Sequence, residues 1–254
     1  QTGGGFGLEE SLRQRITTLR PGLYKGILNR LGPSWDPGKD TALPACFSEA
    51  QLSKRSQNRT ALHQQLGWVD DAAPLVAFVG RLAAGKGLEL LEQTAPAWLE
   101  QGMKLVVLGM GEPHQEAIAQ RLVSQWPAQV VWKNAYLPNL ARLIYGGADM
   151  LLMPSEREAC GISQQIAMRY GCIPIARKTG GLADTIEEGY NGFLYVRQER
   201  LALHRAMMRA LAAFADRERW TELVRHAMRT ETGWEGSASE YADLYEALMK
   251  GTHG

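Results

Sequence analysis

The feature that most constrains the fold of this chain is a repeated alternation of short apolar runs with longer amphipathic segments. Apolar, β-branched runs lie at Leu75–Val79, 105–108 and 130–132, and apolar residues recur at helical spacing over 88–99 and 113–124. Such alternation is typical of a parallel sheet whose strands are joined by crossover helices. The sequence therefore predicts an α/β domain.

The same alternation continues through the middle of the chain and then stops. Further strands are predicted at Met150–Met153, 173–176 and 193–196, and a helix is predicted over 162–170. Beyond residue 200 the apolar residues recur only at helical spacing, which predicts additional helices at the carboxyl end. We expect a Rossmann-like, doubly wound parallel sheet with extra C-terminal helices.

The composition argues against several classes of partner. Twenty-eight Lys and Arg residues against 27 Asp and Glu residues leave a net charge of +1, without the basic excess that nucleic-acid phosphates require. No apolar run approaches the roughly 20 residues of a membrane span. Cys46, Cys160 and Cys172 are widely spaced, which indicates neither a disulfide framework nor a metal motif. We expect a cytoplasmic protein without a metal, a nucleic-acid partner or a membrane.

Four loops that follow predicted strands have the glycine-rich and charged sequences expected of a ligand site. In an open parallel sheet, ligands bind beyond the carboxyl ends of the strands, where helix N-termini converge. The loops at that edge are 80–87, 109–113, 154–161 and 177–181. Any one of them is also explained by the need of a strand-to-helix turn for glycine. Together they predict a ligand that carries phosphate.

Charged residues in these loops indicate where the phosphates would lie. Arg81 and Lys86 place two cations on the first loop, and such cations most often bind phosphate oxygens, although ordinary surface charge is the alternative. Glu158 lies just before the helix 162–170, within reach of a ligand whose phosphates rest on that helix N-terminus, although it could simply cap the helix. The turn 179–181 offers bare backbone to a diphosphate.

One competing motif is the P-loop, G-x-x-x-x-G-K-[ST], whose first seven positions match residues 80–86. Gly87 stands at the eighth position, where the pattern needs a hydroxyl for Mg²⁺. Asp149 precedes the predicted strand that begins at Met150, whereas a Walker B aspartate would follow its strand. The P-loop interpretation is therefore the less favoured alternative.

The motifs in these loops resemble those of the bacterial glycogen synthases and plant starch synthases, which are retaining glycosyltransferases of the GT-B fold. Residues 81–87 resemble the family's R-L-x-x-x-K-G, and 108–113 resemble L-G-x-G-x-P. Residues 154–164 resemble P-S-R-F-E-P-C-G-L-T-Q, and 178–185 contain T-G-G-L-A-D-T, the most specific of the four. Other stretches that resemble family positions, in the family's order, are 35–37, 167–171 and 191–193.

The resemblance implies transfer of glucose from ADP-glucose or UDP-glucose to the non-reducing end of an α-1,4-glucan, with retention and without a cofactor. It implies a location in the cytoplasm, or in a plastid for a plant source. The family's first domain, with its K-x-G-G-L segment and most acceptor contacts, has no counterpart here, so the chain resembles the donor-binding C-terminal half and is expected to be inactive alone. A non-catalytic nucleotide-sugar-binding module is the alternative.

The resemblance also implies roles for individual residues. Glu158 would lie near the transferred glucose, while Arg81 and Lys86 would neutralise the leaving diphosphate, so these three are the implied catalytic residues. Tyr136 would stack on the nucleotide base. The other implied donor-binding residues lie in the glycine-rich loops and are Gly109, Gly111, Cys160, Gly161, Ile162, Ser163, Thr179, Gly180 and Gly181.

Three parts are expected along the chain. Residues 1–42 would form a hinge and the remnant of the missing N-terminal domain, 43–232 the nucleotide-sugar-binding domain, and 233–254 a crossover helix. The hinge departs from the family pattern, because 29–32 read Asn-Arg-Leu-Gly where the family has N-G-[IV]-D. Beside Glu158, the departures are Glu156 and Arg157 for Arg-Phe and Ala159 for Pro.

Overall fold

A single six-stranded parallel sheet organises the larger part of the computed structural model, which describes residues 25–251 together with residue 18. The strand order is β3-β2-β1-β4-β5-β6, and every neighbouring pair is parallel. The strands are β1 Leu75–Val79, β2 Lys104–Leu108, β3 Val130–Lys133, β4 Met150–Met153, β5 Ile173–Arg177 and β6 Phe193–Tyr195. Because the order reverses direction between β1 and β4, the sheet is doubly wound, and the predicted fold class is confirmed.

Helices connect the strands and follow the last of them. Within the described residues these are α1 Arg55–Leu66, α2 Leu88–Leu99, α3 Pro113–Gln125, α4 Pro138–Gly147, α5 Ser163–Arg169, α6 Gly180–Thr185, α7 Arg200–Ala215, α8 Arg217–Arg229 and α9 Trp234–Gly251. A 3₁₀ segment, Glu49–Lys54, precedes α1. The helices that the sequence predicts over 88–99, 113–124 and 162–170, and those that it predicts beyond residue 200, are present. The sequence does not predict the three others, α1, α4 and α6, because α1 is largely polar and the other two contain paired glycines.

Burial of both faces of the sheet explains why its strands are almost continuously apolar. In β1, Val76 and Phe78 pack into one core with α2, α3, α7 and α8. Leu75 and Ala77 point to the opposite face and pack with α1 and α4. Successive residues of a strand face opposite sides, so a strand covered on both sides requires apolar residues at every position.

A buried carboxylate fixes the amino ends of two central strands. The Oδ2 atom of Asp149, just before β4, accepts a hydrogen bond from the N–H of Leu75 at 2.9 Å and lies 2.6 Å from Nη1 of Arg59. The side chains of Arg59 and Asp149 are only 17 % and 10 % exposed. Asp149 therefore lies at the amino edge of the sheet. The P-loop match, residues 80–86, follows β1 at the opposite edge.

The described residues divide into two compact units. The larger is Arg30–Gly236, and the second contains residues 25–29 and 237–251. Residues 1–24 of the predicted first segment, apart from residue 18, lie outside the described residues, so the predicted three-part division stays a prediction. Across the described ranges, no helix combines the length and the apolar character needed to cross a membrane.

Asp149→Ala is expected to lower the free energy of unfolding by about 3–5 kcal/mol, because it leaves the mostly buried Arg59 without its carboxylate. Urea denaturation measures the change. The matched control is Glu92→Gln, which breaks the more exposed ion pair of Glu92 with Arg121 and should cost at most about 1 kcal/mol. Equal losses in the two variants would contradict a special role for Asp149.

Candidate functional site

The four predicted ligand loops lie at the carboxyl edge of the sheet. Residues 80–87 follow β1 and 154–162 follow β4, so these two loops flank the point where the strand order reverses. Residues 109–112 follow β2, and 178–179 follow β5. Ligands of doubly wound sheets bind at such a switch point, and the position of the loops agrees with the prediction.

Bare backbones of neighbouring loops lie against each other at this edge. A Cβ atom added to Gly87 would lie 2.1 Å from the carbonyl oxygen of Pro154, and one added to Gly181 would lie 1.9 Å from that of Cys160. Real Cβ atoms essentially never come within 3.0 Å of another atom, so only glycine fits. The glycines that face a neighbouring carbonyl in the same way are Gly109, Gly111 and Gly180. Packing between loops already accounts for these five glycines, and their contact with a donor stays a prediction.

Hydrogen bonds that the sequence did not predict hold the first two loops in place. Glu112 binds the backbone of the first loop, since its Oε2 accepts from the N–H of Ala84 at 3.1 Å. Glu116 accepts from the N–H of Gly111 at 2.9 Å. Both carboxylates lie at the beginning of α3, where acidic residues are common, so nothing in the sequence distinguishes them from ordinary residues of a first helical turn.

The loop after β4 is held in a similar way. The N–H of Glu156 donates to the carbonyl of Gly85 at 2.8 Å, and Arg177 donates to the carbonyl of Glu156. Gln164, which is fully buried, donates from Nε2 to the carbonyls of Cys160 at 3.1 Å and Gly161 at 2.9 Å. The departures Glu156 and Ala159 thus lie in a loop that is fixed mainly through its backbone.

Two of the three predicted catalytic residues are in direct contact. The Nζ atom of Lys86 lies 2.7 Å from Oε2 of Glu158, and the hydroxyl of Ser155 donates to the same oxygen at 3.3 Å. The side chains of Lys86 and Glu158 are 32 % and 18 % exposed. Charge-assisted hydrogen bonds of this length are among the stronger ones in proteins. The contact joins the loop after β1 to the loop after β4.

A small cavity of about 70 Å³ lies beside this ion pair. Lys86 and Glu158 line it together with Gly161, Ile162 and Ser163 at the start of α5. The N–H groups of these last three residues have no hydrogen-bond partner among the described residues. The structure therefore brings the predicted cation, carboxylate and backbone donors to one place.

A larger cavity of about 560 Å³ brings together four other predicted residues. Arg81, Gly109, Gly111 and Tyr136 line it, with an otherwise mainly apolar surround. Tyr136 is 85 % exposed. Arg81 is also exposed, and it forms no ion pair with another described residue. The volume lies within the range of about 300–1,000 Å³ that is usual for small-molecule sites.

Thr179 and Gly181, which are also predicted site residues, lie beside the loop that carries Glu158. Thr179 precedes α6, and the N–H of Gly181 donates to the carbonyl of Glu158 at 3.1 Å.

At the predicted hinge, Arg30 donates to the carbonyl of Glu231 at 3.3 Å, within the larger unit. Over residues 25–251, no group of three or more His, Cys, Asp or Glu side chains is arranged to hold a metal ion.

The fold and the site together define a class of protein: the Rossmann-like C-terminal half of a GT-B glycosyltransferase. Residues 58–226 match the model of the family described as glycosyl transferases group 1. Because the match covers more than half of the chain, this chain belongs to the group 1 glycosyl transferases.

Individual relatives show to which members of this family the chain is similar. The chain is 40 % identical to a glycogen synthase of Syntrophotalea carbinolica over 98 % of its own length, and 37 % identical to one of Cellvibrio japonicus over 96 %. It is also similar to the solved catalytic domain of starch synthase IV from Arabidopsis thaliana bound to ADP and acarbose, with a TM-score of 0.86 and 33 % identity over 97 % of this chain. The predicted resemblance to the glycogen and starch synthases is confirmed.

The chain corresponds to only part of each of these proteins. It covers 52 % of each of the two glycogen synthases and 52 % of the starch synthase structure. The chain thus spans about half the length of the curated relatives that it matches.

Gly181→Ala is expected to lower the free energy of unfolding by about 1–3 kcal/mol, since the new methyl group would collide with the carbonyl of Cys160. The loss should appear although alanine is the better helix former. Gly32→Ala is the control, because a Cβ atom there meets nothing within 4 Å, and it should change stability by no more than about 0.5 kcal/mol. Chemical denaturation compares the two, and a stable Gly181→Ala protein would refute the close-packing argument.

Proposed function

We propose that this chain is the donor-binding half of a glucan synthase, which transfers glucose from ADP-glucose or UDP-glucose to the non-reducing end of an α-1,4-glucan with retention. The observation that carries the proposal is the contact of Lys86 with Glu158 at the switch point of the sheet. The similarity to glycogen synthases over nearly the whole chain supports it. A cytoplasmic location belongs to the proposal and is supported by three cysteines that are all free.

The nucleotide of the donor would occupy the cavity beside Tyr136. Its base would stack on the exposed tyrosine ring, since aromatic rings favour stacked contact with other flat rings. Arg81, on the same cavity wall, would bind a phosphate oxygen through its guanidinium group. The similar starch synthase domain was solved bound to ADP, and ADP is accordingly the first nucleotide to test here.

The ion pair of Lys86 and Glu158 would change partners when the donor binds. The diphosphate of a nucleotide sugar carries two negative charges, one on each phosphate, whereas a carboxylate carries one, so the diphosphate would attract Lys86 and Glu158 would be released toward the glucose. In the transition state, negative charge develops on the leaving diphosphate, and cations already fixed beside it stabilise that charge without reorganising solvent. Lys86 and Arg81 supply those cations. The N–H groups of 161–163 would add hydrogen bonds to phosphate.

The acceptor glucan would bind between this chain and a second domain. The relatives are about twice as long as this chain, and their other half is the proposed partner. Closure of such a domain excludes water, which strengthens the electrostatic contacts inside the site. By itself the chain should bind a nucleotide and turn over no sugar.

ADP is expected to bind the isolated chain in the presence of EDTA, and Lys86→Ala or Arg81→Ala should each weaken its affinity about tenfold or more, because each removes a charge-assisted hydrogen bond. Titration calorimetry with ADP, UDP and the two glucose donors gives the affinities. Arg205→Ala, an exposed cation on α7, is the control and should bind as the unmodified chain does. Unchanged affinity in both loop variants would remove these residues from the site, and ATP binding that strictly needs Mg²⁺ would restore the P-loop interpretation.

In a full-length form that carries both halves, Glu158→Ala should lower kcat about a hundredfold or more while changing the donor affinity little, as expected when a group acts mainly in the transition state. Glu156→Ala is a matched control two residues away, since its carboxylate is exposed and its loop contacts are made by the backbone. Steady-state transfer of glucose to glycogen gives both parameters. If kcat survives within a few fold, Glu158 is only structural. Donor binding without any transfer by the unmodified full-length form would instead favour the non-catalytic module.

A further inference from the structure

A separate cavity of about 600 Å³ lies at the amino edge of the sheet. One wall is formed by the 3₁₀ segment Glu49–Lys54 and α1, the other by α8, and Gly147 and Asp149 before β4 contribute to the lining. The loops of the candidate donor site follow the carboxyl ends of the strands. The two sites are therefore at opposite edges of the sheet, and this cavity has no part in the function proposed above.

Positive charge exceeds negative charge in this cavity. Its ionisable lining residues are Arg55, Arg59, Arg217, Arg225, Glu49 and Asp149. Asp149 forms an ion pair with Arg59. Oε1 of Glu49 lies 2.6 Å from Nη2 of Arg229, which is not part of the lining. Three arginines, Arg55, Arg217 and Arg225, thus form no ion pair with a described carboxylate, although Asp149 attracts Arg55 and Glu49 attracts Arg225 at longer range.

Arg55 is a cation enclosed mainly by neutral groups. Its Nε donates to the carbonyl of Tyr170 at 3.0 Å, and its Nη2 donates to the carbonyls of Tyr145 and Ala148. Its Nη1 has no acceptor among the described residues. Burial lowers the pKa of this guanidinium, with Arg59 acting in the same direction and Cys172 and Asp149 opposing it. An anion in the cavity would supply the contacting ion-pair partner that Arg55 lacks.

Arg217 and Arg225 lie on the face of α8 that lines the same cavity as Arg55. They are eight residues apart, which places their Cα atoms about 12 Å from each other along the helix, within reach of two long side chains that bind one anion. Trp220 and Phe214 line the cavity beside them, with ring centroids 5.2 Å apart in an edge-to-face contact. The cavity is thus lined by these arginines and by an aromatic wall that consists of Phe214 and Trp220.

We propose that this cavity binds a small phosphate monoester, whose phosphate contacts the three arginines and whose carrier ring lies against Phe214 and Trp220. A phosphate monoester has a charge of about −1.5 to −2 at neutral pH, which suits a cavity lined by four arginines and two carboxylates better than the single charge of a carboxylate does. Guanidinium groups also match phosphate oxygens in geometry. The volume suits a ligand of metabolite size.

The test must separate this cavity from the donor loops, which also attract phosphate. Calorimetric titrations are therefore made in a chain carrying Arg81→Ala and Lys86→Ala, with inorganic phosphate, glucose 1-phosphate and AMP as probes. Saturable binding of an ester is expected, and it should weaken about tenfold or more for each of Arg217→Ala and Arg225→Ala added to that background. Arg219→Ala, on the same helix but outside the lining, is the matched control and should leave the affinity unchanged.

The three probes also identify the carrier. Tighter binding of glucose 1-phosphate than of AMP would support a sugar phosphate, and the reverse order would support a nucleotide. Equal affinity for both esters and for inorganic phosphate would overturn the contact with the aromatic wall. The proposal as a whole is overturned if no probe binds saturably up to about 10 mM, or if Arg217→Ala and Arg225→Ala together leave the affinity unchanged in a chain that unfolds as the control does.

Discussion

Contact between the bare backbones of neighbouring loops is the constraint on which the candidate donor site depends. Gly87 lies directly against the carbonyl of Pro154, and Gly181 against that of Cys160. With the loops stacked this closely, the side chains at their tips have little freedom in where they point. Lys86 and Glu158, which are 72 residues apart in sequence, meet at 2.7 Å as a result. Backbone packing thus sets the geometry of the pair that the proposed chemistry needs.

The two edges of the sheet use charge in different ways. At the amino edge, Arg59 and Asp149 form an ion pair that also binds the backbone of Leu75, so the charges fix the positions of strands. At the carboxyl edge, the partly exposed pair of Lys86 and Glu158 holds loops together without being enclosed. An enclosed pair is costly to separate, whereas the pair of Lys86 and Glu158, whose lysine is about one third exposed, loses less when it separates because water solvates the released ammonium group. Only the second kind suits a site in which a ligand must enter.

The sequence predicts the strands well because a doubly covered strand must be apolar throughout, and this leaves a clear pattern in β1 to β6. It predicts the position of the site because ligands of such sheets bind at the carboxyl edge. It does not predict α4 and α6, whose paired glycines argue against helix. Nor does it predict the support from Glu112, Arg177 and Gln164, since bonds from a side chain to the backbone of a distant loop have no periodic signal.

The exposed apolar groups around the larger cavity have a thermodynamic consequence. Tyr136, Met110 and Leu137 are 85 %, 52 % and 41 % exposed, and all three line that cavity. A nucleobase bound there would remove part of this surface from water, and burial of apolar surface gives a negative heat-capacity change. The enthalpy of nucleotide binding would then become more favourable on warming, although the phosphates are held by charge. The same nucleotide would thus be bound by two forces with different temperature dependence.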